Sequence, residues 1–211
     1  MKQLLIIGAS GHGKVVADIA KLNGYESILF FDDNESLKEC GKYPVVGKTS
    51  DVSNFEGDVV VAIGNAAIRE RIQRSLYDRN IPVLIHPSAV IDSTVKISEG
   101  TVIMAGAVIN ADAMIGKGCI INTCSSVDHD CRIGDFVHVS VGAHIAGTVE
   151  IGERTWIGIG AAVNNNVSIC SDCMIGAGAV VVKDIDMEGT YVGVPVEKIK
   201  RNSRAKKDNV I

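Results

Sequence analysis

The stretch Ile115-Gly116-Lys117-Gly118-Cys119-Ile120-Ile121-Asn122-Thr123-Cys124-Ser125-Ser126-Val127-Asp128-His129-Asp130-Cys131-Arg132-Ile133-Gly134 decides the fold. Ile115, Ile121, Val127 and Ile133 recur every sixth residue, and the same step runs unbroken from Ile85 through Ile103, Val139 and Ile157 to Val181. All seventeen positions are Ile or Val. These two residues fill 53 of the 211 places in the chain, so chance would put only about four of them there. Four places after each aliphatic stands a second residue, from Ala89 through Cys119, Ser125, Cys131 and Val137 to Ala179, no larger than Val in every case but the last, Ile185.

One large aliphatic and one small residue per hexad fit a parallel β-helix whose coils stack ~4.8 Å apart. Three hexads per coil put residues 18 apart in register, so that Cys119, Val137, Thr155 and Cys173 form one inward column with their thiols as packing atoms. The Gly or Asn that often follows the aliphatic, as in Gly116, Asn122, Gly134, Gly152, Gly158, Asn164 and Gly176, suits corners needing unusual φ or close approach. The period does not give the hand of the coil, and the general rule for parallel crossovers favours a right-handed one.

Upstream the pattern differs. Leu4-Leu5-Ile6-Ile7, Ile28-Leu29-Phe30-Phe31 and Val59-Val60-Val61-Ala62-Ile63 are continuous apolar strands. They alternate with helical patterns over about Lys14 to Leu22, with Val15, Val16, Ile19 and Ala20 on one side, and over Ile68 to Tyr77, before Pro82-Val83-Leu84-Ile85. Such alternation predicts a Rossmann-like α/β unit with a parallel sheet covered on both faces. The expected division is 1–85 for this domain, 86–186 for the β-helix and 187–211 for a C-terminal segment with a basic tail.

Composition narrows the function classes. A content of 46% apolar residues excludes a disordered chain. Twenty-one basic against 25 acidic residues argue against a nucleic-acid binder. No apolar run reaches the ~18 residues of a membrane span, and Met1-Lys2-Gln3 leads into a strand rather than a signal peptide, so a cytoplasmic protein is expected. Six cysteines in a chain of this size do not make a secreted disulfide framework. Cys170 and Cys173 form a lone C-x-x-C with no second pair at zinc-ribbon spacing, so no metal is expected there.

Polar chemistry concentrates between Asn122 and Gly142, where His129 lies between Asp128 and Asp130 and His138 follows nine residues later. An imidazole is the usual base near neutral pH, and a neighbouring carboxylate fixes its tautomer and raises its basicity. In the first domain, Gly8-x-x-Gly11-x-Gly13 stands between a strand and a helix, where backbone N–H groups can approach phosphate, although it is not the dinucleotide spacing. Asp32-Asp33 closes the second strand, where acids can accept ribose or sugar hydroxyls; read from residues alone this suggests an NAD site or a solvated turn.

The hexads, with Ile115-Gly116, Ile133-Gly134, Ile151-Gly152 and Ile175-Gly176, resemble the hexapeptide-repeat acyltransferases. From Gly8-Ala9-Ser10-Gly11-His12-Gly13 to Gly193-Val194-Pro195 the chain is similar to the sugar O- and N-acetyltransferases, typified by sialic acid O-acetyltransferases and the bacillosamine-pathway N-acetyltransferase. The resemblance implies a left-handed β-helix, a homotrimer with active sites between the β-helices of neighbouring subunits, and acetyl-coenzyme A as co-substrate. It implies N-acetylation of a nucleotide-activated amino sugar, a UDP-4-amino sugar first, in bacterial surface glycan synthesis. The alternative is O-acetylation of sialic acid or another sugar. By the same resemblance His129 is the general base and Asp130, where the bacillosamine enzyme has Glu, supports it. His138, Gly147, Ile159 and Ala177 contact the coenzyme, Ala177 standing where that relative has Gly. Ser10, Gly11, His12, Asp32, Asp33 and Gly64 hold the nucleotide sugar.

Competing readings remain open at this point. Cys131 could be a nucleophile, but it falls in the small inward slot. His129, His138 and His144 invite comparison with γ-class carbonic anhydrases, whose zinc ligands are more widely separated. A catalytically dead sugar-nucleotide sensor is the non-enzyme reading. Lys198, Lys200 and Arg201, in a run of six cations over ten residues, could meet coenzyme phosphates.

Overall fold

The computed structural model describes residues 2–199. Strands β1 (Gln3–Ile7), β2 (Ser27–Phe31), β3 (Glu39–Cys40), β4 (Tyr43–Gly47) and β5 (Asp58–Val61) form a sheet in the order β3-β4-β2-β1-β5. The pairs β1–β2, β1–β5 and β2–β4 are parallel, and β3 and β4 make an antiparallel hairpin. That hairpin was absent from the sequence reading, because Pro44 interrupts an already short run. Helix α1 (Gly11–Leu22) begins three residues before the expected start and buries Val16, Ile19 and Ala20, while Val15 turns outward. Helix α2 (Ala66–Ser75) starts where the Asn65 side chain accepts the Ile68 N–H, a regular N-cap.

The coil follows with the predicted registry. Ile103 pairs with Ile121, Ile121 with Val139 and Val139 with Ile157, each 18 residues on and parallel. Three sheets of eight, six and five strands wall a left-handed prism. We call the faces C, D and E in chain order, represented by Ile120–Ile121, Ser126–Val127 and Arg132–Ile133. Inside, Cys119, Val137, Thr155 and Cys173 stack with at most 2% exposure. The Thr155 hydroxyl donates to the Cys170 carbonyl and accepts the Cys173 N–H, so the buried polar atom is satisfied.

Two expectations shift. Leu84–Ile85 pairs with Val102–Ile103, so it is the first strand of face C rather than the last piece of the α/β unit. Gly189–Val192 continues the same face beyond Cys173–Ile175, so part of the C-terminal segment caps the coil. Of the two reasons offered for the residue after the aliphatic, close approach holds and unusual φ does not. The left-handed backbone falls three residues after the aliphatic, at Asp112, Cys124, Asp130, Phe136, Thr148, Arg154, Asn166 and Asp172 among others. The glycines directly after the aliphatic are there for close approach: a Cβ on Gly134 would meet the Glu153 nitrogen at 2.8 Å.

The two domains share a core. Outward residues of face C run Leu84, Val102, Ile120, His138, Trp156 and Met174. The first three are buried with Val16, Ala17 and Ile19 of α1, and Met174, at the far end, is 43% exposed. The α/β domain thus covers the start of face C and ends near His138. Helix α2 lies along the E–C corner, where Gly100, Gly118, Phe136 and Arg154 stack in one left-handed column. Gln73, Arg69 and Glu70 on one side of the helix reach successive coils, through the Glu99 carbonyl, the Gly118 and Phe136 carbonyls, and the Arg154 guanidinium.

Candidate active site

At the D–E corner the backbone turns through Asp130, whose φ of 58° is left-handed, a conformation Asp tolerates better than most residues. This turn brings the Asp130 carboxylate to the preceding ring: His129 Nδ1 lies 2.8 Å from Asp130 Oδ2. With Nδ1–H donating there, the Nε2 lone pair is free to accept a proton. Both side chains are more than half exposed. The hydrogen bond to Asp130 raises the His129 pKa, with charge from Asp128 and Asp130 adding to it. Asp128 is held below the usual carboxylate range by the Asn110 amide and the His129 N–H.

One coil further, 18 residues on, stands Gly147. A Cβ there would meet His129 Nε2 at 2.5 Å and Cε1 at 2.6 Å. The ring therefore lies against bare backbone, and only glycine leaves that room. Adding 18 to 129 would have revealed this contact from the sequence.

His138 is in a different setting. It is 8% exposed, packs at a 45° tilt against Trp156 with centroids 4.4 Å apart, and sits 3.1 Å from the Asn122 amide through Nε2. Burial first, then the charge of Arg69 and the proximity of His12, push it down to about 3. His12, at the start of α1, is pushed down to about 4 by burial and by Arg69. His12 Nε2, His138 Nδ1 and the Ser140 hydroxyl are buried without a protein partner. His12 and His138 lie close enough to act on one another and both feel Arg69, so their unpartnered ring nitrogens mark a junction where a polar ligand can complete the bonding.

The remaining sugar-nucleotide candidates converge where the sheet order reverses. Strands β2 and β5 flank β1 on opposite sides. The loops after β1, carrying Ser10, Gly11 and His12, and after β5, carrying Gly64, meet at their C-terminal ends, the usual crevice for ligands in open α/β sheets. Gly8 has φ 109° and lies against the Ala62 carbonyl, which permits this tight approach. Asp32 accepts the Ala9 N–H at 2.7 Å and the Asn34 N–H at 2.9 Å, and Asp33 accepts the Thr49 N–H at 2.9 Å. Both acids therefore order the loops around the crevice, and neither closes a bare solvated turn.

One chain does not bring all the coenzyme candidates together. Gly147 shares the D–E corner with His129, whereas Ile159 and Ala177 stack on the C–D corner, both exposed, and His138 is on face C. The three histidines considered for zinc are likewise apart: His144 stands on face D, where it pairs with the Ser126 hydroxyl at 2.9 Å. Among the described residues no group of three or more His, Cys, Asp or Glu is arranged to hold a metal ion. Cys131 is buried, its thiol pushed up by burial and 3.1 Å from the Ala146 carbonyl, which does not suit a nucleophile. Lys198 lies near the Tyr191 ring, and Lys200 and Arg201 fall outside the described residues. No helix among the described residues is long and apolar enough to cross a membrane.

A left-handed hexad coil joined to a small α/β domain is the architecture of hexapeptide-repeat transferases, and the comparisons agree. Residues 3–76 match the PglD N-terminal domain and residues 148–183 the bacterial transferase hexapeptide (six repeats) family. The acetyltransferase domain of PglB from Neisseria gonorrhoeae FA1090 is 40% identical, with a TM-score of 0.91 over 94% of this chain and 100% of that one. Perosamine N-acetyltransferase from Caulobacter crescentus, solved with CoA and GDP-perosamine, is 36% identical, with a TM-score of 0.89 over 95% of this chain and 98% of that one. UDP-N-acetylbacillosamine N-acetyltransferase of Bacillus subtilis (strain 168) is 35% identical over 113 residues, 50% of this chain and 52% of that protein. The match thus spans about half the length of that curated relative. The chain belongs to the family of hexapeptide-repeat acetyltransferases with a PglD-type N-terminal domain.

Proposed function

We propose that this protein transfers an acetyl group from acetyl-coenzyme A to the amine of a nucleotide-activated amino sugar, with His129 as general base. The observation that carries this reading is the exposed His129–Asp130 pair, with Nδ1 engaged at 2.8 Å and Nε2 lying over Gly147. As the sugar amine attacks the thioester carbonyl, Nε2 takes its proton, and Asp130 stabilises the imidazolium formed. A backbone N–H stabilises the oxyanion, and collapse expels the coenzyme A thiolate, which recovers the proton. No acyl-enzyme intermediate is required.

The nucleotide sugar lies at the strand ends with Ser10, Gly11, His12, Asp32, Asp33 and Gly64, and the coenzyme meets His138, Gly147, Ile159 and Ala177. Because Gly147 and the Ile159–Ala177 column are on different corners of one prism, a trimer that sets one chain's D–E corner beside its neighbour's C–D corner would complete the site. Support for the substrate class comes from the acetyl-coenzyme A complex of the PglB domain and from the CoA and GDP-perosamine complexes of the Caulobacter enzyme, including forms with a histidine replaced. Acetyl-coenzyme A as donor fits a cytoplasmic reaction.

The test is thiol release from acetyl-coenzyme A with UDP-, GDP- and dTDP-linked 4-amino sugars beside free sialic acid. Turnover on an amino sugar is expected. Turnover on sialic acid alone would replace this reading with O-acetylation, and binding without turnover would make the protein a sensor.

A further inference from the structure

Arg69 is 1% exposed, yet none of its hydrogen-bond partners is a carboxylate. Its Nε donates to the Gly118 carbonyl at 2.7 Å and Nη2 to the Phe136 carbonyl at 2.7 Å, both on the E–C corner of the coil. Nη1 donates to the carbonyls of Ile63 at 2.7 Å and Gly64 at 2.8 Å, in the loop after β5. A buried guanidinium held only by carbonyls is an expensive strut, and the same helix already has other ties to the coil in Gln73 and Glu70. What Arg69 adds is its grip on two consecutive peptides of the substrate loop.

Those peptides are trans, so each N–H points opposite to its carbonyl. With the Ile63 and Gly64 carbonyls turned onto the guanidinium, the Gly64 and Asn65 N–H groups face the other way. Among the described residues neither donates a hydrogen bond. Successive N–H groups of this kind form a donor pair for an anionic or carbonyl oxygen.

We propose that Arg69 is a positioning residue for the nucleotide sugar: it fixes the Ile63–Gly64–Asn65 peptides so that two adjacent N–H groups present to the ligand, and locks that loop to the coil. This rests on the crevice being the nucleotide-sugar site, as set out above. Arg69 touches no reacting atom in this scheme. Arg was required because Lys cannot donate to both domains at once from a planar fork.

The experiment measures binding of a GDP- and a UDP-linked 4-amino sugar, and separately of coenzyme A, to the full-length chain by calorimetry, for wild type, Arg69→Lys, Arg69→Gln and Glu70→Gln. The expected result for the Arg69 variants is sugar-nucleotide affinity weakened by about tenfold or more, with coenzyme affinity changed less than about twofold. Glu70→Gln, which loosens the same helix without touching Ile63 or Gly64, should leave both affinities unchanged. In amide spectra the Gly64 and Asn65 signals should shift with the sugar nucleotide in wild type and not in Arg69→Lys. Equal loss of both ligands, the same loss in Glu70→Gln, or unchanged binding in a folded Arg69 variant would each overturn the proposal. So would failure of both Arg69 variants to fold, which would leave an architectural strut. A wild-type protein that binds coenzyme A and no sugar nucleotide would instead sink the substrate reading itself.

Discussion

His129 and His138 stand half a coil apart on the same solenoid, and their imidazoles titrate in opposite directions. His129, at an open corner, has a carboxylate 2.8 Å from Nδ1 and its pKa is raised. His138, under the edge of the α/β domain, faces Arg69 and His12 and is pushed down to about 3. Burial disfavours the charged imidazolium, and a guanidinium nearby adds repulsion, whereas an exposed ring next to an acid gains a partner for its second proton. The ring able to take a proton at neutral pH is thus His129, and His138 is held neutral for hydrogen bonding. Identical side chains acquire different chemistry from the corner or face on which the repeat places them.

The largest expected effect would break this contrast on the basic side. His129→Ala should lower kcat by ~10²- to 10⁴-fold while coenzyme binding and the folded state persist. A fall under about tenfold would remove His129 from the role of base. Next comes Gly147→Ala, whose methyl would occupy the space of the ring. Displacing Nε2 by the better part of an ångström should reduce kcat by ~10²-fold, with the thermal midpoint little changed.

Asp130→Asn is gentler, because Asn tolerates the left-handed φ of 58° and can still accept from Nδ1. It removes the charge and leaves a weaker neutral hydrogen bond in place of the one that holds the His129 pKa up, so the acid limb of kcat/KM should move to lower pH and the rate fall about tenfold. An acid limb that stays put would show that some other group controls it.

On the buried side the readout is stability. His138 at about 3 and His12 at about 4 both lie below the ~6.5 of a free imidazole. The unfolded chain therefore binds more protons than the native one in that window. Their neutral form should leave stability intact above pH ~6.5 and erode it as the pH falls towards 4 and then 3, by on the order of a few kcal/mol. Urea midpoints at pH 7.5 and 5 would test the sign, and His138→Gln should flatten the slope. The smallest effect is expected from Cys131→Ala, which leaves a small cavity in the inward column of Ala113, Val149 and Val167 and costs ~1 kcal/mol of stability with transfer retained. Loss of transfer in that variant, together with activity in His129→Ala, would reverse the assignment of base and nucleophile.

Much of the coil was legible because its signal is repeated. Each Ile or Val of the six-residue step is an independent vote for the same register, and the stacked Cys119, Val137, Thr155 and Cys173 follow from multiplying that step by three. The His129–Asp130 neighbourhood was legible for a similar reason, since adjacent residues need no long-range folding to meet. Arg69 was not. The helical pattern of Ile68 and Ile72 suggests that Ile68 faces inward, but Ile68 is 39% exposed and Arg69 is buried in its place. No local rule foresees a buried cation here, because the partners that tie Arg69 to the coil are carbonyls 49 and 67 residues away in the chain.

By itself, then, the amino-acid sequence determined the prism, its inward columns, the order of domains and the acid beside His129, all of which depend on spacing within one repeat or one strand. Tertiary structure decided which faces of the prism are open, where the α/β domain ends on face C, and that His12, Arg69 and His138 share one buried junction. Periodicity specifies which side a residue faces, but burial and charge depend on what packs against that side, and here that is a domain brought from the other end of the chain.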